Sequence, residues 1–188
     1  MPEPTLARRA MVDSQLRPEG VTNAGVIAAM GSVAREQFVP EGARDCAYSD
    51  RSIPLTDGGA MMPPSALGQL LSALDPRPGE RALVVGPAPD YAAALLTALG
   101  LEVTTAAPGA APRGPFQLIL LEGAVVEFPA ELAAALVPGG RAATAIADHG
   151  VSRLALGING ARGIAFRTFA DADVAPLAAY IRPPAFIF

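Results

Sequence analysis

Residues 80–105 restrict the possible folds of this chain more than any other stretch. Ala82-Leu83-Val84-Val85 is a short, valine-rich apolar run that ends at Gly86. Such a run, closed by a glycine, predicts a buried parallel strand followed by a sharp turn. Ala92 to Leu99 is an alanine and leucine helix, and Gly100 stands where a helix C-terminus takes a glycine. Glu102-Val103-Thr104-Thr105 then predicts the next strand. This order makes half of a nucleotide-binding βαβ unit, with the turn at 86–91 where a nucleotide would lie. The turn reads Gly86-Pro87-Ala88-Pro89-Asp90-Tyr91. Its two prolines lack amide donors, and its single glycine leaves little room for a close approach to the backbone. Asp90 is expected to cap the following helix.

The chain has 188 residues, the length of one domain with a sizeable core. Its net charge of −4 comes with no cluster of basic residues, which excludes a nucleic-acid phosphate footprint. The one cysteine, Cys46, makes neither an internal disulfide nor a cysteine zinc site, and no other metal-ligating cluster is visible. A cytoplasmic protein is expected. Met1-Pro2-Glu3-Pro4 opens without the apolar run of a leader, and no apolar stretch reaches the roughly 18 residues of a membrane span.

Before residue 76 the pattern is helical. Leu6, Met11 and Leu16 mark a first helix over 4–16, ended by Arg17-Pro18. Thr22 or Asn23 caps a second, carrying Val26, Ile27 and Met30. Short helical turns are expected over 35–40 and 41–47, and an irregular loop over 48–59. Leu67, Leu70, Leu71 and Leu74 share one face of a helix opened by Pro63-Pro64. After residue 105, 106–115 reads as a loop rich in Ala, Pro and Gly. Residues 116–121 and 141–147 read as strands, with a helix from Pro129 between them. Alternation from Val151, then Asn159-Gly160, then 164–169, predicts an antiparallel hairpin turning at Asn-Gly. Pro183-Pro184-Ala185-Phe186-Ile187-Phe188 is apolar enough to dock on the body of the protein.

Several of these stretches carry a resemblance. Val12 to Leu16, Val26-Ile27-Ala28-Ala29-Met30, Arg35-Glu36-Gln37-Phe38-Val39-Pro40, Ala47-Tyr48-Ser49-Asp50 and Ile53-Pro54-Leu55 resemble, in order and spacing, protein-L-isoaspartate O-methyltransferases. Pro78-Gly79-Glu80-Arg81, Gly86, Tyr91 and the 136–141 stretch continue the likeness over nearly the whole chain. The resemblance implies an α/β fold with a three-layer, Rossmann-like methyltransferase sheet, mostly parallel with a C-terminal antiparallel hairpin. It also implies S-adenosylmethionine as cofactor and methyl transfer to the carboxylate of an isoaspartyl protein or peptide. Residues 1–75 would form the substrate-side helical region and 76–188 the core, within one compact domain. Gly86, Ala88, Asp90 and Tyr91 fall on the cofactor loop.

The chain departs from that family at points of chemistry. The family loop Gly-x-Gly-x-Gly-Tyr keeps only its first glycine here, at Gly86. The acidic residue that takes the ribose hydroxyls falls at about Ala107, while Glu102 lies at the opposite end of its strand. One strand and its flanking helices are absent, since the ten residues 106–115 are too few for a crossover, a strand and a second helix. The family's hydroxyl near the transferred methyl falls at Met62, which with Met61 reads as a packing residue. Glu122, at the carboxyl edge of its strand, is the best remaining carboxylate for a ligand contact, with a loop position as the plainer reading; Glu127 follows it. His149 reads as an exposed turn histidine and Cys46 as a packed side chain. The expectation is a family member with weak or lost cofactor binding and activity, the alternative being a non-catalytic pseudo-methyltransferase that serves as an interaction or dimerisation module. Leu95, Leu96 and Phe128 would then expose an apolar patch that a homodimer covers.

Overall fold

The computed structural model describes residues 3–56, 58–110 and 112–180. A first helix, α1 (Pro4–Met11), runs directly into a π-helical turn over Val12–Leu16. α2 (Ala24–Ser32) starts at Asn23, whose side chain accepts a hydrogen bond from the Val26 amide at 3.1 Å. That bond satisfies one of the amides a helix start leaves unpaired. Two 3-10 turns (Arg35–Gln37 and Glu41–Cys46) follow. The 48–59 region is more ordered than expected, because β1 (Ile53–Pro54) and β2 (Ala60–Met61) pair as a small antiparallel ribbon. α3 (Pro64–Leu74) then buries Leu67, Leu70, Leu71 and Leu74 together.

The main sheet contains β3 (Arg81–Val85), β4 (Glu102–Ala106), β5 (Phe116–Val125), β6 (Leu136–Asp148), β7 (Val151–Gly160) and β8 (Gly163–Asp171). Their order is β4-β3-β5-β6-β7-β8. The first four are parallel, and β7 and β8 continue the sheet antiparallel. α4 (Asp90–Ala98) crosses from β3 to β4, and α5 (Ala130–Ala135) from β5 to β6. Alternate residues of β3 and β5 divide between two apolar clusters. Ala82, Val84, Leu118 and Leu120 face α1 to α4, whereas Leu83, Val85, Ile119 and Leu121 face α5. Two faces covered by helices produce the unbroken apolar strands seen in the sequence.

The return from β4 to β5 takes only residues 107–115, so β4 is the edge of the sheet. This linker lies close against the end of α5, since a Cβ on Gly114 would stand 2.3 Å from the Ala135 carbonyl oxygen.

Three local expectations are corrected. Asp90 does not cap α4; Pro89 holds that position, and Asp90 is the first helical residue, exposed and making no capping bond. The β7–β8 hairpin turns at Ala161-Arg162, because Gly160 pairs with Gly163. Asn159 is used elsewhere: its side-chain amide donates to the Leu136 and Val137 carbonyls at 2.9 and 3.1 Å. Leu95 and Leu96 are fully buried, because α2 packs over α4 with Gly25 close against Leu99. Phe128 is half-buried against Phe166, with ring centroids 5.1 Å apart. The expected apolar patch is therefore not formed by these residues. The apolar stretch 183–188 lies outside the described residues.

Candidate functional site

The carboxyl ends of β3 and β5 lie side by side, with Val85 level with Leu121. This edge is where open α/β sheets take their ligands. The next residues are Gly86 and Glu122. Gly86 donates its amide to the Ala106 carbonyl at 3.2 Å, which ties the turn to the end of β4. Pro87, Ala88 and Pro89 are half-buried and lead into α4. Ala106 ends β4 and Ala107 follows it, neither bringing a carboxylate, and Glu102 is level with Arg81 at the far end of the strands.

Glu122 is not a loop residue. β5 continues through it to Val125, and its side chain is only 3% exposed. It fills the space beside Gly86: a Cβ added there would lie 2.8 Å from Glu122 Cβ and 3.0 Å from Oε2. That oxygen is buried and makes no hydrogen bond among the described residues. Burial pushes the Glu122 carboxyl up to about 8, against the pull of Arg35 and with a push from Asp90. The group is mostly neutral at pH 7, which is how a buried carboxyl avoids the cost of an uncompensated charge.

Tyr91 lies beneath the same turn, fully buried, and burial pushes its hydroxyl up to about 12. Its ring packs against Phe38 at 5.5 Å and under the Arg35 guanidinium at 4.9 Å. Arg35 entered the sequence reading only as part of the Arg35–Pro40 stretch, with no sign of burial, yet among the described residues it is the largest fully buried side chain. Its Nε donates to the Ala47 carbonyl at 2.8 Å and its Nη2 to the Met62 carbonyl at 2.6 Å. Burial pulls its guanidinium below the ordinary value, partly offset by Tyr91 and Glu122. Arg35 thus joins the N-terminal helical region to the α4 side of the edge.

The remaining candidates separate clearly. Met61 and Met62 are each 2% exposed and belong to the core, and Ser65 is a buried α3 residue whose amide donates to Asp50 Oδ1 at 3.0 Å. Cys46 is half-buried and donates its thiol to the Ala43 carbonyl. His149 projects from the β6–β7 turn with its side chain 96% exposed, and Glu127 is exposed beyond β5. No group able to hold a metal ion occurs among the described residues. Among those residues, too, no helix is long and apolar enough to cross a membrane.

A cavity of about 260 Å³ opens beside the edge. Gly58, Gly59 and Ala60 line one side, Pro87 and Pro108 the strand ends, and residues 175–179 the other side. It is below the roughly 300–1,000 Å³ usual for small-molecule sites, and it is mainly apolar. Gly123, Leu177 and the segment carrying Leu177 are further residues at this edge that the sequence did not single out. The apolar Ala124-Val125-Val126 run after Glu122 was the available sign that β5 continues.

Comparison with known proteins gives one consistent answer. The model of the family described as Protein-L-isoaspartate(D-aspartate) O-methyltransferase matches residues 7–107. The match ends where the short β4–β5 linker begins. Protein-L-isoaspartate O-methyltransferase 2 of Anaeromyxobacter sp. (strain Fw109-5) is 36% identical over 167 residues, covering 73% of this chain and 69% of its own. The Methylorubrum extorquens (strain PA1) protein-L-isoaspartate O-methyltransferase is 34% identical, covering 75% and 74%. A Plasmodium falciparum structure described as this methyltransferase, in complex with S-adenosyl-L-homocysteine, superposes with a TM-score of 0.71. At 16% identity over 92% of this chain and 98% of that one, it attests the fold. The chain belongs to the protein-L-isoaspartate O-methyltransferase family.

Proposed function

We propose that this family member has weak or no S-adenosylmethionine binding, and so little or no methyl transfer to isoaspartyl proteins. Its retained fold then serves as an interaction module, with self-association as the simplest form. The observation that carries this reading is Glu122 seated against Gly86, where the family loop would bring its backbone to the cofactor. Three further features support it. Pro87 and Pro89 offer no amide donors, β4 ends without a carboxylate for the ribose, and Met62 is a core side chain. The residues present do not fit the cofactor, so no methyl-transfer step is assigned to them. Gly86, Ala88, Asp90, Tyr91 and Glu122 are the remnant of the cofactor loop and its opposite wall.

A role in association draws support from the antiparallel end of the sheet, where Ile158 is 53% and Phe169 is 40% exposed. Residues 1–75 would form the helical, substrate-side region and 76–188 the core, within one compact domain. The reading places the protein in the cytoplasm, where Cys46 stays a thiol.

The family's own activity is the second reading, and the sequence match over 7–107 favours it. Thermal melts with millimolar S-adenosylmethionine and S-adenosylhomocysteine separate the two, because a ligand that binds only the native state raises Tm. No saturable rise, and background methyl incorporation into an isoaspartyl peptide, are expected. A saturable rise with methyl incorporation would replace the first reading by the second. Light scattering that gives a monomer at every concentration would remove the self-association part.

A further inference from the structure

Asn159-Gly160 closes β7, and it is a pair whose side chain and backbone readily react with each other. The glycine has no side chain to shield its amide nitrogen or to restrict its backbone. That nitrogen can attack the asparagine Cγ, and the new N–Cγ bond closes a five-membered succinimide ring. The Cγ–Nδ2 bond breaks, and ammonia leaves with the amide proton. Water then opens the ring to aspartate or to its β-linked isomer. The reaction needs no oxidant, metal or enzyme.

The fold holds both partners of this reaction. The Asn159 side-chain amide has two N–H donors, and both are used. Nδ2 donates to the Leu136 carbonyl at 2.9 Å and to the Val137 carbonyl at 3.1 Å. A carbonyl only accepts, so these bonds also fix which end of the amide faces β6. Gly160 is paired with Gly163, and Asn159 with Ile164, so the backbone of the pair lies in the β7–β8 ladder.

The clamp also acts on β6. Leu136 and Val137 join α5 to β6, and Leu136 is level with Phe116 at the start of β5. Phe116, Leu132, Ala135 and Leu136 belong to one apolar cluster. This junction lies at the amino-terminal end of β5, away from the β3–β5 carboxyl edge.

We propose that Asn159 is a masked deamidation site, and that its conversion unfastens the α5–β6 junction. The inference is independent of the proposed function. In the closed chain the leaving amide is held by two carbonyls, so reaction proceeds only from molecules in which this end of β7 has opened. The product cannot re-form the clamp. A carboxylate donates nothing, and it sets negative charge against two carbonyl oxygens that are left without donors. Conversion therefore marks a chain that has opened, and keeps that end of the sheet loose.

The test follows residue 159 by peptide mapping and mass spectrometry, which reads the replacement of an amide by an acid, at mildly alkaline pH. Conversion is expected to be roughly tenfold or more slower in the folded wild type than in urea. Equal rates in the two states overturn the masking, and this comparison needs no substitution. Gly140→Ala separates the clamp from the strand around it. Its Cβ would stand 2.9 Å from the Val137 carbonyl oxygen, so that acceptor must shift. Conversion in the folded variant should rise roughly threefold or more, the share that one net hydrogen bond carries. A cooperatively melting Gly140→Ala chain that converts at the wild-type rate overturns the role of the clamp. Asn159→Asp carries the aspartate product, and its Tm should fall by roughly 5 °C or more. A Tm equal to that of the wild type overturns the unfastening.

Discussion

Arg141 Nη2 lies 2.8 Å from both carboxylate oxygens of Glu80. Both side chains are about one-fifth exposed or less, and Arg141 Nε also donates to the Leu74 carbonyl at 2.7 Å. One side chain of β6 thus ties the entry to β3 and the end of α3 to the sheet. Arg141→Ala is expected to cost about 2 kcal/mol, which lowers Tm by roughly 4–8 °C. Arg141→Lys should recover only part of this, because an ammonium cannot reproduce the fork. Thermal melts that match the wild type for both variants would refute this role.

Gly86→Ala places a methyl group against Glu122 in a packed edge. The expected cost is about 1–3 kcal/mol, the usual range for overpacking. The cost should largely disappear in a chain that also carries Glu122→Ala, with a coupling of about 1 kcal/mol or more in a double-variant cycle. Additive effects in urea unfolding would show that the two residues do not share the space.

Stability should fall as pH rises from about 4.5 to 8. In the unfolded chain Glu122 loses its proton near the ordinary glutamate value of about 4.3. In the folded chain it keeps the proton up to about 8. Between these values the native state binds more protons than the unfolded state, so raising the pH favours unfolding. Glu122→Gln, which cannot ionise, should flatten this part of the profile. Urea midpoints for wild type and variant at pH 5 and pH 8 provide the check; equal slopes would contradict the assignment.

Arg35→Lys is expected to be strongly destabilising, by about 3 kcal/mol, although the charge is kept. The guanidinium serves two carbonyls from different atoms while stacking on Tyr91, and a lysine can satisfy only part of that arrangement. A variant within about 0.5 kcal/mol of wild type would show that the surrounding loops rearrange around it.

Most of the frame was readable because periodicity carried it. The apolar runs of β3 and β5, the leucine face of α3 and the alternation of β7 each reflect a local pattern with a single solution. The residues at the carboxyl edge of β3 and β5 were not readable in the same way. An acid before a glycine reads locally as the end of a strand, and nothing around Glu122 shows that it will lie opposite a residue without a side chain. Its burial depends on Gly86 in one segment and Arg35 in another. The segment carrying Leu177 has no periodic pattern at all, since its two hydrogen bonds to Ala124 are set by the sheet it joins. The Asn159-Gly160 signal failed for a related reason. The two carbonyls at the start of β6 compete for Asn159, and the turn moves to the next pair of residues.

The seat of Glu122 also bears on how related chains can be sorted. In a chain that binds a cofactor at this turn, a glycine at the position of Gly86 would give the ligand access to the backbone. Here the same residue meets a second, purely steric constraint, since an α-carbon substituent would strike the chain's own carboxyl. Invariance of that glycine across a set of homologues therefore carries no information on ligand binding. On the proposed function, the informative position is the one facing it across the strands: a small residue would leave the crevice free, and a long acid would fill it.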